Sequence, residues 1–152
     1  MKKIVFLLMA LCIGLNMSAQ NDEIELFQSV FKLEKKALLV KFLSLSDTES
    51  EDFWSTYNEY EAKLSKTSNK RIQLIKKYAE SYENMTDEQA NALVGESFAI
   101  RMEREKLQKS YYNKLKKSHG AKRGAQFVQF ERFVQNQIDN ELNQSFPLIG
   151  EY

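Results

Sequence analysis

Residues 47–83 read DTESEDFWSTYNEYEAKLSKTSNKRIQLIKKYAESYE, thirty-seven positions without a proline or a glycine. Phe53, Tyr57, Tyr60, Leu64, Ile75, Tyr78 and Tyr82 recur in it at the three- and four-residue steps of one helix face. Ser68 and Arg71 fall on the same stripe, so its middle is polar. A continuous helix here would be about 55 Å long at 1.5 Å per residue. That exceeds the diameter of a compact domain of this size and argues against a globular bundle. The start is marked as well: Ser46-Asp47-Thr48-Glu49 has the letters of a capping box, in which Ser46 takes a free backbone N–H and Glu49 reaches back.

The same reading extends outward to four helical segments and an all-α fold. A first segment covers about Asp22 to Leu43, with Phe27, Val30, Phe31, Leu38 and Phe42 as its apolar positions. A second start signal, Thr86-Asp87-Glu88-Gln89 after Met85, opens a third segment. There Leu93, Ile100, Leu107, Tyr111 and Leu115 keep helical spacing as far as Ser118-His119-Gly120, with Ser97 and Arg104 interrupting. Phe127, Phe130, Val134, Ile138 and Leu142 carry a fourth, whose first turn Gly124 is expected to weaken. One proline in 152 residues and five glycines leave too little turn chemistry for a strand-rich fold.

The N-terminus reads as an export signal. Lys2 and Lys3 precede an uncharged apolar run from Ile4 to Leu15, and Ser18-Ala19 offers small residues before Gln20. Twelve apolar residues are too few to cross a bilayer, which needs about 20. The residues before Cys12 lack the small side chain that precedes a lipidated cysteine. We therefore expect cleavage between Ala19 and Gln20, a periplasmic address and no stable membrane anchor afterwards. The expected organisation is a signal peptide over 1–19, one helical domain over 20–143 and a tail over 144–152, where Pro147 and Gly150 lie.

Cleavage constrains the chemistry. It removes Lys2 and Lys3 from the 22 basic residues, leaving 20 against 21 acidic ones, and it removes the only cysteine. Disulfides, thiolate catalysis and cysteine metal sites are then excluded. A Ser/His/Asp set would need the single histidine, His119, which has no motif around it and reads as a plain loop residue. One histidine cannot make an ordinary zinc site, and no glycine-rich phosphate loop is present. No cofactor and no catalytic set are expected.

Charge is uneven. Residues 47–61 carry six acidic side chains and no basic one, while 101–123 carry nine basic against two acidic. Complementarity to helix dipoles explains part of this. The other reading is a basic surface, including Arg101, Arg104 and Lys109, that steers acidic partners. Export makes nucleic acid an unsuitable partner for it.

The two start signals also form a repeat. Leu45-Ser46-Asp47-Thr48-Glu49 and Met85-Thr86-Asp87-Glu88-Gln89 stand 40 residues apart. They resemble the paired LTxxQ signature of the Spy/CpxP family of periplasmic proteins. The first copy departs from it at Ser46 and Glu49, the second at Met85. Phe53-Trp54 followed by Tyr57 and Tyr60 is similar to the variants of this family in Bacteroidetes-type genomes. The resemblance covers roughly residues 38–140. It implies a thin, curved, antiparallel homodimer of long hooked helices. Such a dimer cradles unfolded envelope proteins without ATP, or serves as an envelope stress sensor. The alternative it leaves is an adaptor that binds one partner in an extracytoplasmic sigma factor or sensor-kinase pathway. Trp54, Tyr57 and Tyr60 are then either partner-contacting side chains or the core of a small bundle; the sequence leaves both open. Long helices with interrupted stripes cannot cover themselves within one chain, which agrees with a binding role.

Overall fold

The computed structural model describes the backbone of residues 17–45 and 47–149, with the side chains of that span other than 17–25, 27 and 47–49. The expected export signal over 1–19, the pair Ala19–Gln20 and the first capping box at Ser46 and Glu49 thus lie, wholly or in their side chains, outside the described residues. Three helices account for nearly all of what is described: α1 Met17–Leu43, α2 Asp47–Ser81 and α3 Asp87–Ser145. A 3-10 turn, Tyr82–Asn84, joins the last two. No strand occurs among the described residues. None of the described helices is long and apolar enough to cross a membrane.

The count is three where four segments were expected, because α3 runs through both of the last two. The expected boundary survives as one residue: Gly120 leaves helical geometry at φ 83°, ψ 164°. That positive φ with an extended ψ is essentially confined to glycine and costs an L-residue about 1–3 kcal/mol. Helix α1 starts at Met17 rather than Asp22, and α3 ends at Ser145, just past the expected Asn143. Ser44, at φ 45°, closes α1 with its N–H on the Val40 carbonyl, 3.2 Å away.

Contacts divide the chain into two units, Met1–Ser44 with Phe130–Pro147, and Leu45–Gln129 with Leu148–Tyr152. In the first, Leu39, Leu43, Phe130 and Val134 are buried, and the Phe42 and Phe130 rings lie 5.9 Å apart. Buried with them is an ion pair, Lys35 Nζ to Glu131 Oε2 at 2.8 Å. This corrects the face assigned to α1. The inward residues Lys35, Leu39 and Leu43 follow at steps of four, while Val30, Leu38 and Phe42 are 39, 37 and 46% exposed. Lys35 breaks the apolar pattern on the buried side, and its partner lies 96 residues further along the chain.

In the second unit α2 and α3 run antiparallel. Glu59 meets Lys114, Lys70 meets Glu103 and Lys77 meets Glu96, at 2.8, 2.6 and 2.8 Å. Advancing eleven and then seven residues along α2 retreats by eleven and seven along α3. Both intervals return an α-helix close to the same face. The core lies at one end of this pair, where Phe53, Tyr57, Tyr60 and Leu64 of α2 are buried, as are Tyr111, Leu115 and Phe127 of α3. The Tyr60 ring is 5.4 Å from Tyr111 and 5.0 Å from Phe127.

Gly120 makes that convergence possible. Tyr111 and Phe127 would be about 24 Å apart along an unbroken helix, yet both reach Tyr60. The residues beyond Gly120 turn back, and Gly124 is buried with its Cα hydrogen toward Tyr112. A Cβ there would sit 3.0 Å from the Tyr112 ring and 3.3 Å from its carbonyl oxygen. Gly124 therefore serves close approach and does not cost the helix its first turn.

Two stability predictions follow from these contacts. Gly124→Val should lower stability by about 1–3 kcal/mol through overpacking and Gly120→Ala by about 1–3 kcal/mol through backbone strain, both read as shifts in thermal midpoint. Lys35→Met or Glu131→Leu alone should cost up to about 3–5 kcal/mol, because each removes one partner of a buried ion pair, while the double replacement should recover most of the loss. A double variant as unstable as either single one would count against the pair.

Candidate functional site

The second start signal forms as a capping box. Thr86 N donates to Gln89 Oε1 at 2.9 Å, and Gln89 N donates to Thr86 Oγ1 at 3.2 Å. Two of the amides that begin α3 are thereby satisfied. Met85, with φ −68° and ψ 126°, is the extended residue between the 3-10 turn and the cap. Both Met85 and Leu45 are half-buried. An open pocket of about 380 Å³ lies beside this turn, lined by residues 79–84 and Gln89.

Of the three aromatic residues considered for a partner surface, Tyr57 and Tyr60 face inward, 2 and 0% exposed. Trp54 is half-buried, edge-on to Phe53 at 5.2 Å and to Tyr57 at 5.7 Å. Of the two placements left open for these tyrosines the structure has the core one: their rings hold α2 and α3 together. Among the basic residues considered, Arg101 and Lys109 are exposed and Arg104 is half-buried.

His119 is more enclosed than a loop histidine. Its side chain is 5% exposed and stands edge-on to Phe53, with ring centres 5.9 Å apart. Ser118 Oγ is 2.7 Å from its Nδ1 and Asp52 Oδ2 is 3.9 Å from its Nε2. Serine, histidine and aspartate are thus brought together beside Gly120. Ser118 Oγ also lies 3.2 Å from the Lys114 carbonyl, which it can donate to, and Asp52 is 72% exposed. The arrangement braces the reversal. Among the described residues no three His, Cys, Asp or Glu side chains group to hold a metal.

Beyond the aromatic core the two helices form an arm with no interior. From Ser68 to Leu107 no residue is fully buried. Ile75 and Tyr78 on α2 and Leu93, Ile100 and Leu107 on α3 keep the predicted spacing but are only half-covered. Two helices alone cannot enclose an apolar stripe; the third layer that closes the core, residues 121–129, does not extend this far. Val94, Phe98 and Met102, at steps of four, are 50, 60 and 58% exposed on the side of α3 away from α2. Sequence reasoning passed over these three because they stand beside the inward stripe; their own regular spacing was the available signal.

Ion pairs brace the arm. Lys70 Nζ donates to Glu103 Oε2, and the buried Thr67 hydroxyl reaches Oε1 at 3.2 Å. The Lys70 hydrogen bond holds the Glu103 carboxyl below its usual range. Lys77 Nζ reaches both Glu96 oxygens, at 2.8 and 2.9 Å. Where arm and core meet, Glu59 accepts from Lys114 at 2.8 Å and from Lys63 at 3.0 Å. Lys114 Nζ also lies 4.6 Å from the centre of the Tyr111 ring. The Lys114 hydrogen bond first, then the Tyr111 hydroxyl and Lys63, hold the Glu59 carboxyl at about 2, against an ordinary 4.5. The Tyr111 hydroxyl acts there at longer range, since no partner stands within full hydrogen-bond geometry of it.

Comparison of the chain with protein-family models, with curated proteins and with solved structures finds no match in any of the three. The arm presents a charged, half-covered apolar surface.

A carboxyl whose acidity is raised by folding stabilises the folded state above its unfolded value and loses that contribution as pH falls through its folded one. For Glu59 the window runs from 4.5 down to about 2. Thermal melts over that range should show a shallower pH dependence in Glu59→Gln than in the parent, and salt should reduce the difference because the pair is exposed. Identical slopes at low salt would show that the cluster does not stabilise the fold.

Proposed function

We propose that this protein is a periplasmic, ATP-independent holdase that binds unfolded envelope proteins, with no catalytic activity and no cofactor. The observation that carries the reading is the arm from Ser68 to Leu107, whose apolar residues are spaced for burial and never fully buried. A chain that keeps such a surface leaves it for another polypeptide to cover. Half-covered Ile75, Tyr78, Ile100 and Leu107 supply non-directional contact, and exposed Arg101, Lys106 and Lys109 hold acidic segments nearby without fixed geometry. Such surfaces suit many loosely held clients better than one. The export signal read at residues 1–19 would deliver it to a compartment where clients must be held without ATP, and its cleavage would leave no anchor. The likeness of Leu45–Glu49 and Met85–Gln89 to the Spy/CpxP signature supports the same reading.

A second reading is an adaptor for one sensor or sigma-factor pathway, favoured by the exposed cations of α3 around Arg101 and Lys109. Light scattering of an aggregating client mixed with the protein separates the two. The holdase reading expects suppression that grows with molar ratio and fades when Ile100 and Leu107 are replaced by serine. No suppression at several-fold excess, together with capture of one stoichiometric envelope partner, would favour the adaptor.

A further inference from the structure

Helix α1 is apolar on two sides. Its inward line passes through Lys35 and Leu39, both buried. On the opposite side stand Leu26, Val30, Leu33, Ala37 and Val40, all exposed, with Leu26 and Leu33 open by 62 and 71%. Their steps are four, three, four and three residues, the heptad spacing of a coiled-coil seam. The stripe is narrow, bordered at once by exposed Ser29 and Lys36 on one side and Glu34 and Lys41 on the other. Ser29 Oγ donates to the Leu26 carbonyl at 2.7 Å, so its hydroxyl is satisfied within the helix. A seam of this width matches one other helix, whereas a lipid surface calls for a broad apolar face with aromatic anchors.

The residue types say which kind of helix. With the heptad written abcdefg, Leu26 and Leu33 stand at d and Val30 at a, the choice of a parallel two-stranded coil. Lys36 then occupies a g position, and Glu34 and Lys41 occupy e positions. In such a coil each g residue faces an e residue in the next heptad of the partner. A second copy of α1 fits poorly. In parallel it would set Lys36 against Lys41 twice and bring no opposite charges together. Antiparallel, with a opposite d, one register leaves Val40 outside the seam. The next leaves Leu26 outside and opposes Glu34 to Glu34 and Lys36 to Lys36, which costs energy.

We infer that the outward face of α1 docks a helix of another protein, in parallel, through an aliphatic seam. The incoming helix carries acids opposite Lys36 and Lys41 and a base opposite Glu34. The seam is about 21 Å long, which makes this a small contact of the transient class. Since α1 is already helical and held from its other side, only the incoming helix is ordered on docking. Neither the arm nor the cations of α3 take part.

The probe is a synthetic four-heptad peptide with Val at a and Leu at d. It has Glu at the positions facing Lys36 and Lys41 and Lys at the one facing Glu34; a control peptide exchanges the two. Fluorescence anisotropy with the whole protein should give a Kd on the order of 10 µM for the first and at least ~10-fold weaker binding of the control. Leu33→Asp should abolish binding with unchanged helical content, and Lys36→Glu with Lys41→Glu should reverse the preference. In cells, a photo-crosslinking side chain at position 33 should join a heptad helix with acids at the stated positions. No binding at ~100 µM, equal binding of both peptides, or cross-links only to another copy of this chain or only to lipid would each overturn the proposal. Leu33→Asp should leave suppression of client aggregation unchanged, and Ile100→Ser with Leu107→Ser should leave peptide binding unchanged, so this proposal and the holdase reading fail separately.

Discussion

The meeting of Tyr60 with Tyr111 and Phe127 is the contact on which the second unit depends. Each ring comes from a different stretch of chain, and Tyr60 lies 5.4 Å from Tyr111 and 5.0 Å from Phe127 only because Gly120 reverses α3. Buried aromatic pairs add about 0.5–1.5 kcal/mol beyond the area they cover. Their larger role here is register. The charges further along α2 and α3 are exposed and could find new partners if one helix slid a turn. Tyr60 cannot slide without vacating its place between two rings. The pairs of Glu59, Lys70 and Lys77 with Lys114, Glu103 and Glu96 therefore follow from an alignment set at the core end.

The first unit solves the same problem by electrostatics. Lys35 and Glu131 are both buried and 2.8 Å apart. A buried ion pair contributes little net stability, because desolvation offsets the attraction, but a misaligned one leaves a charge in an apolar setting. The pair thus discriminates against wrong registers between α1 and the end of α3 more than it stabilises the right one. Leu39, Leu43 and Val134 would tolerate several alignments; Lys35 tolerates one.

What was legible in the sequence divides along the same line. The helices of α2 and α3, the start of α3 at Thr86–Gln89, the break at Gly120 and the apolar stripe from Phe53 to Leu64 were all readable, because each is a local pattern or a single residue's backbone freedom. The inward face of α1 was not. Periodicity there pointed to Val30, Leu38 and Phe42, whereas the buried line passes through a lysine whose acceptor is 96 residues distant. No local count ranks a lysine as core. Gly124 was misread for a similar reason: its cost to the helix is local, while its use, close approach to Tyr112, is tertiary. The aromatic pair Tyr57 and Tyr60 stood open between core and surface, since a tyrosine suits either, and only the arrival of Phe127 from beyond the break decides for the core.

The same physics separates the two ends of the α2–α3 pair in stability. Near Tyr60 unfolding must expose several large rings, each burial worth about 1.5–3 kcal/mol. From Ser68 to Leu107 there is no such penalty; the helices are joined by half-covered apolar residues and exposed ion pairs worth about 0–1 kcal/mol each. Opening there should be the least costly excursion of the unit. Under the proposed holdase function such a surface would gain from this, since residues such as Ile75, Ile100 and Leu107 could widen their contact with a client at small cost to the host. Salt would act on it in two directions. Screening loosens the pairs that join the arm and also weakens the attraction between its outward cations and acidic segments. Because the apolar contact is not screened, binding that persists at high salt would come from the half-covered stripe, and binding that vanishes would come from Arg101, Lys106 and Lys109. The division of affinity between those two groups is what distinguishes a holder of unfolded chains from a docking site for one acidic partner.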